Sequence, residues 1–349
     1  PPPPPPPPLF FFKHTPEYAI PLRLVGSERC ITDSGRDAYL RGLTLDWFGQ
    51  GNPYKFGLIG STDTHVLGGS FDESNYWSKV GILDGSPEAR GTVPLTQQRI
   101  DTVTQGLIDA NQPVLLIDRE QGTYMDVGFD QWGASGLAAV WAEENTREAI
   151  FDAMKRREVY ATTGSRITLR FFGGWEFDDQ LHLEPHYIAK AYKAGIPMGG
   201  DLLPGPKNSK PKFLVMAAKD SVGANLDRVQ IIKGWLDRSG NLNETVYDVA
   251  WSGEREIDEG TGKLPAVGNT VDIRTATYKN TIGTEVLSTV WTDPDFDVKQ
   301  KAFYYARVLE IPVPRWSTHD AVYFDIPLPE GVPSTIQDRA YSSPIWYSP

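Results

Sequence analysis

The feature that most constrains the fold of this chain is a change in hydrophobic period at Gly164. From Ile167 onward, apolar and other side chains alternate. Three further strand-like runs follow, FLVMAA at 213–218, VQIIKGWL at 229–236 and YYARVLEI at 304–311. A period of two is typical of strands with one buried face. Turn signals separate the runs at short intervals, so residues 166–349 are predicted to form an antiparallel β-sandwich.

The residues before Gly164 alternate between helical and strand-like patterns. The predicted elements are, in order, a helix over 35–48, an apolar strand over 56–59, a helix within 94–110, a strand over 114–117 and a helix with a capping box of Asn145 and Glu148. Helices that alternate with apolar strands are typical of an α/β barrel or a doubly wound sheet. Residues 36–165 are therefore predicted to form an α/β unit, and residues 1–35, which open with eight prolines, are assigned to neither unit.

The charge of the chain limits its partners. With 34 Lys and Arg against 45 Asp and Glu, the net charge is −11 and the pI is near 5.0. Nucleic acid and anionic membranes attract basic surfaces, so neither is expected as the main partner. A small phosphorylated substrate stays compatible with this charge, because a bound dication locally reverses the sign of the field.

Cysteine use and hydropathy leave the compartment open. Cys30 is the only cysteine, so the chain has no intrachain disulfide and no cysteine metal cluster. No apolar stretch approaches the roughly 20 residues that a bilayer requires, and the first residues lack the pattern of a secretory signal. A processed chain lacks such a signal too, so a periplasmic or extracellular location stays open.

The candidate metal ligands are Asp63 and His65 in the sequence FGLIGSTDTH. They follow the predicted strand at 56–59 and lie two positions apart, a spacing that points both side chains the same way in extended chain. A carboxylate and an imidazole suit zinc, manganese or iron. The alternative is structural, with Asp63 capping a turn and His65 hydrogen-bonded beneath the loop.

Longer stretches of the sequence carry a family resemblance. These are GLIGSTDTH, WAEENTREAIFDAMKRREVYATTG, RITLRFFGGWEF, PMGGDL, GANLDRVQIIKGWLD, VYDVAWSG, AFYYARVLEIPVPRW and RAYSSPIWYSP. Over residues 36–349 the chain closely resembles the family catalogued as domain of unknown function 3604, which in turn resembles the polymerase and histidinol phosphatase (PHP) superfamily. The resemblance implies the later part of a distorted α/β barrel with a cluster of divalent metal ions. Asp63 and His65 then correspond to ligands of that cluster.

The implied chemistry is metal-dependent hydrolysis of a small-molecule ester, above all a phosphoester, by metal-activated water. One part of the PHP pattern is missing. The superfamily opens with an H-x-H motif on its first strand, and the only histidine upstream of Asp63 is His14. The remaining ligands and barrel strands are therefore expected from a second chain or from amino-terminal residues that this sequence lacks or misreads; a remnant without a full site is the third alternative.

Several further residues are weighed as site candidates against structural roles. They are Asp72, Glu73 and Lys79 in the predicted loop 66–94, Glu143, Glu144 and Arg147 near the capped helix, Asp201 in PMGGDL, His182, His186 and His319 without metal-site spacing, and the aromatic residues Tyr341, Trp346 and Tyr347. The aromatic residues stack on sugars or anchor packing. The alternative function is accordingly a non-catalytic protein whose aromatic-rich β domain holds a glycan or a partner chain.

Overall fold

The fold is described from a computed structural model, which covers residues 34–61, 70–78, 84–126, 133–134 and 136–349. The described helices are α1 (Ser34–Trp47), α2 (Gln97–Asp109), α3 (Arg147–Lys155), α4 (Tyr187–Ala194) and α5 (Trp316–Tyr323). Two 3-10 turns cover Glu73–Asn75 and Leu181–Leu183. The described strands are β1 (Leu116–Arg119), β2 (Gly122–Met125), β3 (Leu137–Val140), β4 (Val159–Thr162), β5 (Thr168–Gly174), β6 (Gly195–Pro197), β7 (Asp201–Leu202), β8 (Lys212–Ala218), β9 (Leu226–Leu236), β10 (Leu242–Trp251), β11 (Val286–Thr292), β12 (Ala302–Glu310), β13 (Val313–Pro314), β14 (Thr335–Ile336), β15 (Arg339–Ser342) and β16 (Ile345–Tyr347).

The strands form one large sheet, one smaller sheet and two short hairpin-like pairs. The large sheet has the order β10-β9-β12-β15-β4-β3, and β16 joins it beside β12 and β7. The smaller sheet has the order β11-β8-β5-β6, while β1 pairs with β2 and β13 with β14. All pairings are antiparallel except that of β16 with β7.

The main core lies between the two larger sheets. It combines alternate residues of the smaller sheet, such as Phe171 and Phe213, with alternate residues of the large sheet, such as Ile231 and Tyr304. All four side chains are fully buried, and the Phe213 and Tyr304 rings lie 4.3 Å apart between centroids. The alternation read from the sequence therefore reflects strands that each bury one face.

The outer face of the large sheet is covered at one end by α1. Tyr39 and Leu43 of this helix are buried against Phe303, Tyr305 and neighbouring apolar residues of the sheet. The Tyr39 ring lies 5.4 Å from the Phe303 ring between centroids. The other end of this outer face carries polar side chains.

The β-rich character predicted for the second half of the chain is confirmed, as is the predicted helix at 35–48, which α1 closely matches. The strand predicted over 56–59 is wrong. These residues join no ladder, and Phe56 and Ile59 are 39% and 54% exposed, so the apolar run is not core. The capping box is also wrong, because Thr146 rather than Asn145 caps α3, with its Oγ1 accepting from Ala149 N.

Two predictions about the architecture of the chain concern the α/β barrel and the division into two domains. The described strands are mostly antiparallel and form no barrel. Strand pairing also crosses the predicted boundary at residue 165, because β4 pairs with both β3 and β15. The division into 36–165 and 166–349 stays a prediction. No helix in the described part of the chain is long and apolar enough to span a membrane.

Candidate functional site: an acidic cavity at the end of β4

Asp63 and His65 lie outside the described residues, as does Lys79. The described residues on either side of the 62–69 stretch, however, both contact the end of β4. Gly60 N donates to Leu137 O at 3.1 Å, and a Cβ on Gly60 would lie 2.5 Å from Thr162 O. On the far side, Phe71 O lies 2.8 Å from where a Cβ on Gly164 would stand. The residues that flank the segment with the D-x-H pair therefore lie beside Thr162, the last residue of β4, and Gly164, two residues further on.

A cavity of about 400 Å³ opens beside the same strand end. Its walls include Ser165, just after β4, and the start of the loop at Phe71. The titratable residues that line it are Asp72, Glu73, Asp220, Tyr278, Glu310, His319 and Asp338. Five of these seven are carboxylic acids, and they come from four separate parts of the chain. We call this site the acidic cavity.

Glu73 ties the loop at 71–75 to α5. Its Oε1 accepts from Ala134 N at 2.5 Å, and its Oε2 accepts from Trp316 N at 2.6 Å, in the first turn of α5. A carboxylate at this position complements the positive end of the helix dipole. Burial nevertheless raises the pKa of Glu73 to about 7, because it disfavours the charged form more than the two amides and Arg315 favour it.

Glu310 and Asp338 form a pair of buried acids on β12 and just before β15. Asp338 accepts from Thr163 Oγ1 and Glu310 accepts from Ser165 Oγ, both at 2.7 Å. Burial, and then the repulsion from Asp338, raise the pKa of Glu310 well above its usual value. Burial raises the pKa of Asp338 to about 6. Among the described residues, no Lys or Arg nitrogen lies within 4.0 Å of either carboxylate.

Two more carboxylates border the cavity. Asp72 Oδ1 caps the 3-10 turn by accepting from Ser74 N at 2.8 Å, and Asp220 Oδ2 accepts from Arg166 N at 2.9 Å. Burial raises the pKa of the Tyr278 phenol, and the charges of Glu310, Asp72, Asp338 and Asp220 raise it further, because each opposes a phenolate. Tyr278 therefore keeps its proton at neutral pH.

His319 supplies the imidazole of the cavity. It lies on α5, which is fixed by a bidentate pair of Asp320 with Arg90 at 2.7 and 2.9 Å. Burial lowers the pKa of His319, although Asp72 and Asp320 act in the opposite direction. The ring is therefore neutral at pH 7, the form that accepts a proton or binds a metal.

Cations lie around the acidic cavity rather than within it. Lys219 Nζ donates to the backbone oxygens of Asp220 and Gly223, at 3.2 and 3.3 Å, and the Arg166 guanidinium lies 4.7 Å from the Phe71 ring centroid. Oxygen-rich sites with an imidazole suit divalent cations. Within the described ranges, no three His, Cys, Asp or Glu side chains come together as a ready-made metal-binding group. The acidic cavity therefore offers charge and candidate ligands, but not a complete coordination shell.

The other sequence candidates lie elsewhere or have structural partners. Asp201 pairs with Lys55 at 2.6 Å and with Arg157 at 3.6 Å, outside the cavity. Glu143 lines a separate cavity with Trp141, Glu158, Arg170 and Tyr192, and there the Arg170 guanidinium lies 3.2 Å from the Trp141 ring centroid. Glu144 accepts from Thr146 Oγ1, Arg147 begins α3, His186 precedes α4, and His182 lies in a 3-10 turn.

The aromatic residues at the carboxyl terminus take part in packing. Tyr341, Trp346 and Tyr347 are each 1% exposed, and the Trp346 ring packs 5.4 Å from the Phe303 ring between centroids. Of the sequence candidates that the structure describes, Asp72, Glu73 and His319 line the acidic cavity. Asp220, Glu310 and Asp338 were missed. The position of Glu310 at the end of the alternating run YYARVLEI was the available signal, since strand ends commonly carry functional side chains.

Comparison with known proteins identifies the family. A family model described as "Protein of unknown function (DUF3604)" matches residues 26–349, which is most of the chain. The chain belongs to this family. A search of curated proteins found no match.

Proposed function

We propose that this protein is a metal-dependent hydrolase that cleaves a small ester, of the phosphoric ester class, at the acidic cavity. Asp63 and His65 are the proposed metal ligands, and the metals are divalent zinc, manganese or iron, with more than one ion. The observation that carries the proposal is the group of buried, cation-poor carboxylates at the end of β4, the strand that both flanks of the D-x-H segment contact.

Chain connectivity supports this assignment. Asp63 is three residues from Gly60. An extended chain spans at most about 3.6 Å per residue, so Asp63 stays within about 11 Å of Gly60. Ser165 and Thr163, which bind Glu310 and Asp338, follow directly on the strand that Gly60 contacts. This bound on the distance from Gly60 supports assigning the pair and the acidic cavity to one proposed site.

Charge supports it as well. Glu310 and Asp338 hold protons more tightly than ordinary carboxylic acids, because burial opposes their ionisation, as does repulsion of Glu310 by Asp338 and of Asp338 by Asp72. A dication near them favours both charged forms and replaces the protons. Such an ion supplies two things when bound: a water with a pKa lowered to about 7, and stabilisation of the charge on the reacting oxygen.

The residues of the chain have distinct proposed roles around that chemistry. The neutral His319 accepts a proton, and Tyr278, which keeps its phenolic proton, donates a hydrogen bond. Glu73 holds the loop against α5 and so positions Asp72. Strongly perturbed acids in one cavity are typical of functional sites.

The proposal includes the PHP resemblance and its consequences. Residues 36–165 then correspond to the later part of a distorted α/β barrel, with the opening strands and their H-x-H ligands supplied by a second chain or by amino-terminal residues. The carboxylates of the acidic cavity are a further source of ligands. This source is within the chain itself and requires no second subunit.

The test is hydrolysis of bis(4-nitrophenyl) phosphate by protein that has been stripped with chelator and reloaded with manganese, zinc or iron. We expect metal-dependent turnover that falls on the order of 100-fold or more in Asp63→Ala and His65→Ala, as loss of a ligand weakens the site. Asp258→Ala, in an exposed turn, is the matched control and keeps full activity. Circular dichroism verifies that each variant folds.

Equal turnover in wild type and both ligand variants would contradict the proposal. Metal-reloaded protein that binds immobilised glycans without any turnover would favour the non-catalytic alternative. 4-Nitrophenyl sulfate in the same assay separates phosphate from sulfate esters.

A further inference from the structure

A second polar cavity lies on the outer face of the large sheet, beyond the end covered by α1. Its volume is about 190 Å³, well below the range of about 300–1,000 Å³ for sites that take drug-sized ligands. Its walls include the side chains of three arginines, Arg228, Arg307 and Arg339. We call it the arginine cavity.

Strand register assembles the arginine cavity. Arg307 on β12 lies opposite Gln230 on β9, and Leu309 lies opposite both Arg228 on β9 and Arg339 on β15. Side chains alternate across a sheet, so these five residues share one face. The intervening residues Val229, Val308 and Ala340 face the main core. Three neighbouring strands thus place three guanidinium groups on the same small area.

Two carboxylates beside the arginine cavity, those of Asp227 and Asp248, already have side-chain partners. Asp227 pairs with Arg255 at 2.7 Å and with Arg228 at 3.1 Å. Asp248 lies 3.5 Å from Arg228 and accepts from Gln230 Nε2 at 2.9 Å. Arg228 also donates to the backbone oxygens of Leu264 and Pro265, at 3.2 and 2.8 Å, which fixes its guanidinium under this loop.

Arg307 differs from Arg228 in its partners. Its Nε donates to the neutral Gln230 Oε1 at 2.8 Å. Within the described part of the chain, its two Nη groups make no hydrogen bond and no carboxylate lies within 4.0 Å of them. The two Nη groups of Arg307 are therefore available to a ligand in the arginine cavity, while the nearby Asp227 and Asp248 carboxylates are paired with other residues.

From this arrangement we infer that the arginine cavity binds a tetrahedral oxyanion, phosphate or sulfate, free or as the head of a small ester. A guanidinium fork matches two oxygens of such a group, and two charge-assisted hydrogen bonds fix its orientation. Arg307 supplies the fork, and Arg228 and Arg339 add positive charge. The volume admits an ion or a small headgroup. In a chain with net charge −11, anion binding requires such a local concentration of cations.

The test uses protein that is treated with chelator, so that any anion held by metal in the acidic cavity does not contribute. Thermal unfolding and titration calorimetry are run with sodium phosphate and with sodium sulfate, against sodium chloride at matched ionic strength. We expect saturable binding and a rise in Tm that chloride does not give. Binding of phosphate alone, or of both anions, supports the inference and states which headgroup fits.

Variants locate the binding. Arg307→Gln is expected to weaken anion affinity at least 10-fold, and Arg307→Lys to give an intermediate affinity, because lysine keeps the charge but loses the fork. Arg274→Gln is the control, since the Arg274 side chain is 84% exposed on a distant turn. Wild-type protein without saturable binding would overturn the inference. So would equal affinity in folded Arg307→Gln protein, which would indicate an adventitious ion only.

Discussion

Two groups of buried charged residues in this protein differ in whether a counter-charge lies beside them. Beside the main core, Lys233 and Asp293 lie 2.7 Å apart with side chains 2% and 0% exposed. Tyr304 Oη donates to the same Asp293 carboxylate at 2.7 Å, and Lys233 Nζ donates to Asp295 O at 2.8 Å. In the acidic cavity, Glu310 and Asp338 are also buried, but among the described residues the side-chain donors to their carboxylates are hydroxyl groups.

The difference separates a structural site from a functional one. A buried charge costs several kcal/mol unless a counter-charge and hydrogen bonds offset it, and the Lys233 site provides both. For Glu310 and Asp338 the acidic cavity provides hydroxyl hydrogen bonds but, among the described residues, no close counter-charge, so burial raises the pKa of both carboxyl groups. Such an arrangement is expected to weaken the apo fold, and under the proposed function it would favour binding of a dication. Four predictions follow this contrast, from the largest expected effect to the smallest.

Lys233→Met is expected to lower the free energy of unfolding by about 3–5 kcal/mol, because it leaves the Asp293 carboxylate buried without its counter-charge. Urea denaturation measures the change. Adding Asp293→Asn to Lys233→Met should recover part of the loss. A single-variant loss below about 1 kcal/mol would show that the pair is not structural.

Stability of chelator-treated protein is expected to fall as pH rises from about 5 to 8. The folded-state pKa values of Glu73 and Asp338 are raised to about 7 and about 6, from 4.5 and 3.8. A raised folded pKa contributes stability that is full below the unfolded pKa and is lost as pH rises through the folded one. At 1.36 kcal/mol per pKa unit, each group contributes about 3 kcal/mol over its full titration.

His319 acts in the opposite direction in part of this range, because its lowered pKa contributes stability that is lost as pH falls below 6.5. As a single group it reduces the slope without reversing it. Chemical denaturation at several pH values gives the profile, and Asp338→Asn should flatten it. A profile that rises steadily from pH 5 to 8 would contradict the prediction.

Glu310→Gln is expected to raise the free energy of unfolding at pH 8 by about 1–2 kcal/mol, the order of a pKa shift of one unit. The amide oxygen can still accept from Ser165 Oγ, while the charge that opposes Asp338 is removed. Glu244→Gln, at an exposed pair with Arg36, is the matched control. A destabilised Glu310→Gln protein would show that the carboxylate pair is compensated in the apo fold.

Arg238→Gln is expected to change stability by less than about 1 kcal/mol. Its pair with Asp297 has a distance of 2.7 Å, like the Lys233 pair, but the Arg238 side chain is 67% exposed. Burial rather than distance therefore separates the two cases. A loss comparable to that of Lys233→Met would remove this distinction.

The local sequence pattern predicted most of the described elements, but it failed where burial depends on how distant parts of the chain pack together. The alternation at β5, β8, β9 and β12 and the helix α1 followed from the sequence, since each buries one regular face. The run at 56–59 looked like a buried strand. It instead lies beside β4, with Gly57 close to Val159 and Gly60 close to Thr162, and Leu58 N donates to Ser343 Oγ rather than to a ladder. Hydrophobicity alone does not reveal whether a short run is covered.

The acidic cavity could be predicted only in part. Asp72, Glu73 and His319 were candidates, but Asp220, Glu310 and Asp338 lie far from one another in sequence and carry no motif spacing. The pairing of β12 with β15 brings Glu310 and Asp338 together, and the backbone bond from Glu310 N to Asp338 O is 2.9 Å. The D-x-H pair lies outside the described residues, and strand register, which brings these acids together, is not readable from local sequence.

The central claim is that the acidic cavity and the D-x-H pair together bind divalent metal. Calorimetric titration of Mn²⁺ into chelator-treated protein at pH 7, in two buffers with different ionisation enthalpies, measures both the metal bound and the protons released. We predict saturable binding with proton release, because Glu310, whose pKa is raised well above its usual value, loses its proton to the ion, and reduced release in Glu310→Gln. Absence of binding by folded protein, or binding that Asp63→Ala and Glu310→Gln leave unchanged, would contradict the account.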